Sequence, residues 1–193
     1  PAPTPDRDDE DEDREELIVY LSFLCTGGGD LDGILEQLSI SDVGALFLFR
    51  PSELEDYGEQ LRQISGSGHQ IGFILASDTL GEARKELKLG GTLLARLAHT
   101  TSHTVYLENG GSELAAGLTE EGWAWWTGQA RQLEDTRSAY NRCNALLASL
   151  EGFHGTVRVL LDDGAGTADT LARLLPRLPG ENCQVRLPVE TLF

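Results

Sequence analysis

Between Gly44 and Leu75 two apolar runs flank a helical pattern, and few folds accommodate that order. The stretch opens with GALFLF, a continuous apolar run of strand length that stops at Arg50-Pro51. Leu54, Tyr57, Leu61 and Ile64 then recur at the three- and four-residue spacing of a helix, and Ser52 with Glu53 and Glu55 suits its start. Gly66 and Gly68 end that helix, and Ile71 to Leu75 is a second apolar strand. Strand, helix and strand in so short a span make a βαβ unit, which implies two parallel strands joined by a right-handed crossover.

The rest of the chain repeats this alternation. Leu17 to Phe23 reads as a strand, Thr26-Gly27-Gly28-Gly29-Asp30 as a flexible loop and Leu31 to Leu38 as a short helix. Thr79 to Ala98 has a long helical pattern, weakened in its middle by Gly90-Gly91. Thr104 to Leu107 is a strand, Ser112 to Glu121 a helix, Trp123 to Thr127 a strand and Ala130 to Leu150 a long helix. Thr156 to Leu161, Thr167 to Leu178 and Cys183 to Leu187 complete the series as strand, helix and strand. Seven strands alternating with six helices predict an α/β fold with a parallel sheet, and a helix after each of the first six strands favours a barrel over an open sheet. In either architecture the functional groups belong at the carboxyl ends of the strands.

Composition narrows the class of partner. The 193 residues suffice for one domain with a sizeable core, and no apolar run approaches the roughly 18 residues of a membrane span. The formal charge is −17, with nine acidic and two basic residues between Asp6 and Glu16. Phosphate backbones and anionic membrane surfaces are poor partners for such a chain, because both need clustered Lys and Arg. The first residues combine PAPTP with the acidic run, so 1–16 is expected to be a disordered linker and 17–193 the folded domain. A spacer of this kind fits between a removed signal or anchor and an extracellular domain. Three cysteines, Cys25, Cys143 and Cys183, make an odd count that argues against a disulfide framework.

Ala45-Leu46-Phe47-Leu48-Phe49 followed by Gly68-His69-Gln70-Ile71-Gly72 resembles the polysaccharide deacetylase (NodB-homology) family, in which an ATFFV strand precedes GHEIGSHTxSH. The resemblance implies an irregular seven-stranded (β/α) barrel and, in active members, a zinc or other divalent metal. It runs through most of 17–193 on scaffold residues and departs at each catalytic motif. Where the family has T-F-D-D-G, this chain has Ser22-Phe23-Leu24-Cys25-Thr26, so the base and a metal ligand are replaced by Leu24 and Cys25. The two histidine ligands of the second motif fall on Ile74 and Asp78. The third motif, R-x-P-x-G, falls on Tyr106 to Gly110 and keeps only the glycine, and the late catalytic histidine falls on Asp162, with Asp163 retained after it. His69 matches the leading histidine of the second motif, which is not usually a ligand.

What remains at the strand ends sets the expectations for function. No metal or other cofactor is expected, and the binding-cleft candidates are Cys25, Arg50, Asp78, Glu108, Trp125, Trp126 and Asp162. Trp123 and Trp125 share one face of a strand and Trp126 takes the other, so one face should be core while Trp125 or Trp126 lines the cleft against a sugar ring. His99-Thr100-Thr101-Ser102-His103 is an H-x-x-x-H pattern, but it precedes a strand and so belongs at the amino-terminal side. The glycine run after the first strand and Gly164-Ala165-Gly166 after the sixth could each cradle a phosphate, but neither carries a full nucleotide fingerprint. The expected function is therefore a catalytically inactive, deacetylase-like domain that binds a glycan or a protein at a bacterial cell envelope. The alternatives are a carbohydrate hydrolase using Asp78, Glu108 or Asp162 in a rearranged site, and a purely structural envelope module.

Overall fold

A computed structural model of the chain describes residues 15–109 and 111–188. The acidic run expected to be a linker lies, through residue 14, outside the described residues. The elements run β1 (Leu17–Cys25), α1 (Leu31–Ile40), β2 (Leu46–Phe49), a 3-10 segment (Pro51–Tyr57) continuing into α2 (Gly58–Gly66), β3 (Gln70–Leu75) and α3 (Leu80–Ala98). There follow β4 (Thr104–Leu107), α4 (Ser112–Glu120), β5 (Ala124–Trp125), β6 (Ala130–Gln132), α5 (Ala139–Leu150), β7 (Thr156–Asp162), α6 (Thr167–Leu174), a 3-10 segment (Leu178–Glu181) and β8 (Cys183–Val185). Among the described residues no helix is long and apolar enough to cross a membrane.

Every strand pairing is parallel, in the order β5-β4-β3-β2-β1-β7-β6. The sheet curls into a half-barrel with helices outside it. The long β1 is its centre: β7 follows one edge from Ile18 to Leu24, while the other edge is shared end to end by β8, at Leu17 to Val19, and β2, at Ser22 to Cys25. β5 and β6 do not pair with each other, so the barrel has a seam between them.

Side chains alternate across a strand, and here both faces are apolar, as a covered parallel sheet requires. Leu21, Phe23, Phe47, Phe49, Phe73 and Val159 point outward into the core beneath the helices. The Phe23 and Phe47 rings stack there at 5.2 Å. Leu46, Leu48, Ile74, Leu160 and Trp126 point inward and fill the barrel.

The structure corrects the sequence reading at several places. Ala130 to Leu150 is not one helix. Its first residues form β6, whose backbone covers the edge of β7, and α5 begins only at Ala139, where the Ser138 hydroxyl accepts the Asn141 N–H at 3.3 Å. Gln132 and Arg142 explain the break. Arg142 Nε donates to Gln132 Oε1 at 2.9 Å and Gln132 Nε2 donates to the Arg142 carbonyl at 3.1 Å, so the strand and the helix are tied side by side rather than in line. The helix expected from Ser52 is a 3-10 segment until Tyr57, and the one expected to reach Leu178 stops at Leu174. With β6 added, the described residues hold eight strands, and no helix separates β5 from β6.

α3 passes through Gly90-Gly91 without interruption, its start capped by the Thr79 hydroxyl, which accepts the Glu82 N–H at 3.3 Å. A Cβ on Gly90 would stand 2.9 Å from the Phe73 ring, whereas one on Gly91 would meet nothing within 4 Å. Gly90 therefore lets the helix approach the sheet, while Gly91 only lowers helix propensity. Gly91→Ala is expected to stabilise the protein by about 0.5–1 kcal/mol. Gly90→Ala should destabilise it by about 1–3 kcal/mol through overpacking; urea denaturation of the two variants checks the opposite signs.

At the amino-terminal end of the sheet, the Ala45 N–H donates to His69 Nδ1 at 3.2 Å, and the imidazole meets Phe47 edge-on at 5.4 Å. Burial lowers the His69 pKa below its ordinary 6.5. The folded value lies below the unfolded one, so this contribution to stability is complete above pH 6.5 and is lost as pH falls through the lowered folded value. Thermal melts at about pH 7.5 and pH 5 should show a larger loss for the wild type than for His69→Asn, whose side-chain oxygen accepts a hydrogen bond at either pH.

Candidate functional site

The inner face of the half-barrel builds the site. Its floor is closed by Trp126, only 9% exposed, whose indole N–H donates to Ser22 Oγ at 2.9 Å. The Ser22 hydroxyl in turn donates to the Val159 carbonyl at 2.7 Å. Leu46, Leu48, Ile74 and Leu160 pack around the indole, with Tyr20, Leu24, Tyr106 and Leu133 as half-buried neighbours. The mouth at the carboxyl end is therefore apolar at its base.

Polar groups surround this base. Arg50, just after β2, pairs with Glu108, just after β4, so an ion pair passes over the end of β3. Arg50 also reaches Glu53 at 3.4 Å. Across the seam, Arg131 of β6 donates from Nη2 to the Tyr106 hydroxyl at 2.9 Å. Asp162 accepts the Glu134 N–H at 2.5 Å on one oxygen and the Gly164 N–H at 3.0 Å on the other. Asp162 thus shapes the loops of the mouth, and both its oxygens are engaged.

A hydrolytic metal centre requires several His or carboxylate ligands and one open position. Among the described residues no group of three or more His, Cys, Asp or Glu could hold a metal ion. Leu24 and Ile74 occupy the positions where the resemblance places catalytic groups, and both join the inner apolar cluster. The residues present do not fit a divalent metal at this site.

Several expected cleft residues stand elsewhere. Cys25 points outward and is fully buried. Burial, reinforced by the negative charge of Asp163, pushes its thiol well above the ordinary 9.0, the opposite of what a nucleophile or metal ligand needs. Trp125 pairs in register with outward-facing Val105 and is 41% exposed on the outer side of β5, so only Trp126 enters the barrel. Asp78 lies exposed on the β3–α3 loop, where Glu86 organises the turn by accepting the Ser77 N–H at 3.0 Å and the Ser77 hydroxyl. Arg50 and Glu108 are brought together, and Asp162 is at the mouth. Gly110, expected to end the third motif, lies outside the described residues.

The glycine-rich loops are also accounted for. Asp163, 1% exposed, accepts the Thr26 and Gly28 N–H groups on one oxygen, both at 3.1 Å. A Cβ on Gly28 would lie 2.5 Å from the Asp163 carbonyl oxygen, so only glycine permits this contact. The loop expected to be flexible is fastened to the β7–α6 connection, and these donors are taken. At the start of α6 the Ala168 N–H is taken by Asp30 at 2.7 Å. His99 caps the end of α3 in the left-handed conformation and His103 lies 6.4 Å from Trp123, both before β4 and therefore away from the mouth.

The Arg131–Tyr106 contact is not visible in the sequence, because the helical pattern of 130–150 conceals β6. The available signal was the short alternation Ala130-Arg131-Gln132-Leu133 between Gly128 and Asp135.

The architecture is that of an incomplete (β/α) barrel with its site at the carboxyl end. No family model and no curated protein matches the sequence. Solved structures do share the fold. A polysaccharide deacetylase from Bacillus cereus superposes with a TM-score of 0.75 at 15% identity, over 90% of this chain and 92% of that one. A CE4 family pseudoenzyme from Bacillus anthracis gives 0.75 at 16% identity, over 93% and 66%. A peptidoglycan deacetylase from Bdellovibrio bacteriovorus gives 0.78 at 22% identity, over 91% and 53%. The chain has the polysaccharide deacetylase fold.

Ser22→Ala leaves the buried Trp126 N–H without its acceptor and should cost about 1–3 kcal/mol. The double variant Ser22→Ala with Trp126→Phe should cost less than the sum of the two single changes, because both polar partners leave together. A double-mutant cycle by chemical denaturation measures this.

Proposed function

We propose that this chain is catalytically silent as a metal-dependent deacetylase and uses the mouth of its barrel to bind a glycan at a bacterial cell envelope. The observation that carries this reading is the chemistry of the mouth. Leucine and isoleucine stand where a metal and a base would be held, and the nearest carboxylates, Glu108 and Asp162, are already engaged by Arg50 and by backbone N–H groups. An apolar base flanked by hydrogen-bonding side chains suits a sugar ring, which offers C–H faces and hydroxyl edges. The similarity in fold to peptidoglycan deacetylases, and to a protein described as a pseudoenzyme of the CE4 family, supports the choice of ligand class and the loss of activity. The charge of −17 argues against nucleic acid as the partner.

The test is acetate release from N-acetylglucosamine oligomers and acetylated xylan, with and without zinc or cobalt, alongside sedimentation of the protein with insoluble peptidoglycan. No release and measurable co-sedimentation are expected. Metal-dependent release would overturn the reading, and metal-free release abolished by Asp162→Asn would establish a carboxylate hydrolase instead.

A further inference from the structure

The inner wall of the half-barrel has a charge balance opposite to that of the whole chain. By strand alternation Arg50, Arg131 and Arg158 share this face with Glu108 and Asp162, in a protein of formal charge −17. Arg50 is matched by Glu108 and Glu53. Arg131 and Arg158 are not in any ion pair among the described residues.

The contacts these two arginines do make are with neutral groups. Arg131 donates to the Tyr106 hydroxyl at 2.9 Å, and its stem runs past Gly128. Arg158 donates to Thr127 Oγ1 at 3.4 Å and places its guanidinium carbon 5.4 Å from the centre of a Trp126 ring. Arg131 pairs in register with Leu160, two residues beyond Arg158 on the adjacent strand. Strand spacing and rise therefore separate their Cα atoms by about 8 Å. Arg131 stands on the β6 side of the seam that β5 and β6 leave open, and Arg158, deeper on β7, reaches the link between those strands at Trp126 and Thr127.

An arginine guanidinium stays charged and offers a planar fork that matches a carboxylate through two parallel hydrogen bonds. The Arg131–Tyr106 contact uses one of its five donors. The wall's own carboxylates do not compete, since Asp162 is held by two backbone N–H groups and Glu108 by Arg50. The phenol of Tyr106 beside the guanidinium adds an aromatic surface and a hydroxyl, the complement of a sugar ring bearing an acid.

Resting on the glycan-binding reading above, we propose that the ligand is an acidic glycan, whose carboxylate is gripped by Arg131 with Arg158 reinforcing the positive field. Arg131 is then the residue that selects an acidic sugar over a neutral one.

Isothermal titration of the full chain with a galacturonate tetramer, neutral chitotetraose and a sulfated disaccharide tests this. The uronate should bind at least about 10-fold more tightly than chitotetraose, and Arg131→Gln should weaken it about 10-fold or more, the loss expected for a charged hydrogen-bonded contact. The same variant should weaken chitotetraose binding much less than uronate binding and leave the melting temperature unchanged. Arg131→Lys should recover part of the affinity, because charge remains while the fork is lost, and Arg158→Gln should cost less than Arg131→Gln. Equal binding of uronate and chitotetraose, with Arg131→Gln silent, overturns the acidic-sugar inference and leaves glycan binding standing. Tighter binding of the sulfated sugar overturns the carboxylate assignment. No binding of any glycan removes both readings.

Discussion

A parallel sheet that curls without closing must finish its interior by other means than a last row of backbone hydrogen bonds. Here the Trp126 indole does so. It comes from the short link between β5 and β6, which do not pair with each other, and reaches Ser22 at the middle of β1, while the Ser22 hydroxyl donates to the Val159 carbonyl of β7. One chain of hydrogen bonds thus joins the open seam to the centre of the sheet. The surrounding leucines and isoleucine depend on it, because a polar ring left unpaired among them would carry the full cost of its desolvation.

The mouth above this plug is apolar where a metal centre would need charged or imidazole ligands. Imidazoles and carboxylates around a cation must be kept apart, hydrated or coordinated, and each costs free energy to desolvate. Leu24, Leu48 and Ile74 carry no such cost and pack onto the ring below. Burying a side chain of this size contributes roughly 1.5–3 kcal/mol. These side chains extend the apolar column inside the barrel, and the charged groups stand at the rim and the seam.

Much of the scaffold was legible in the sequence because its signals are local. The apolar runs of β1, β2, β3 and β7 and the helical spacing of α3 and α6 follow from burial on one or two faces. The strand-end glycines and aspartates were visible too, but their partners were not: nothing in the letters says that Asp163 holds Thr26 and Gly28, which stand far away in sequence. β6 was hidden because three residues cannot establish a period of two, and the helical pattern of α5 overran them. Alternation alone separates Trp125 from Trp126 without saying which faces the barrel, and a place at a strand end does not say which way Cys25 points. Alternation from Phe23 and Val105, both in the outer core, puts Cys25 and Trp125 outside.

The end-to-end sharing of one edge of β1 by β2 and β8 sets an order of assembly. The upper half of that edge finds its partner a few tens of residues later, whereas the lower half, Leu17 to Val19, waits for Cys183 to Val185 at the other extreme of the described chain. During synthesis the lower half of that edge stays unpaired until residues 183–185 have left the ribosome. Contacts of such separation are the slow ones to form. An unpaired strand edge held open for that long is also a point where newly made chains can join each other instead.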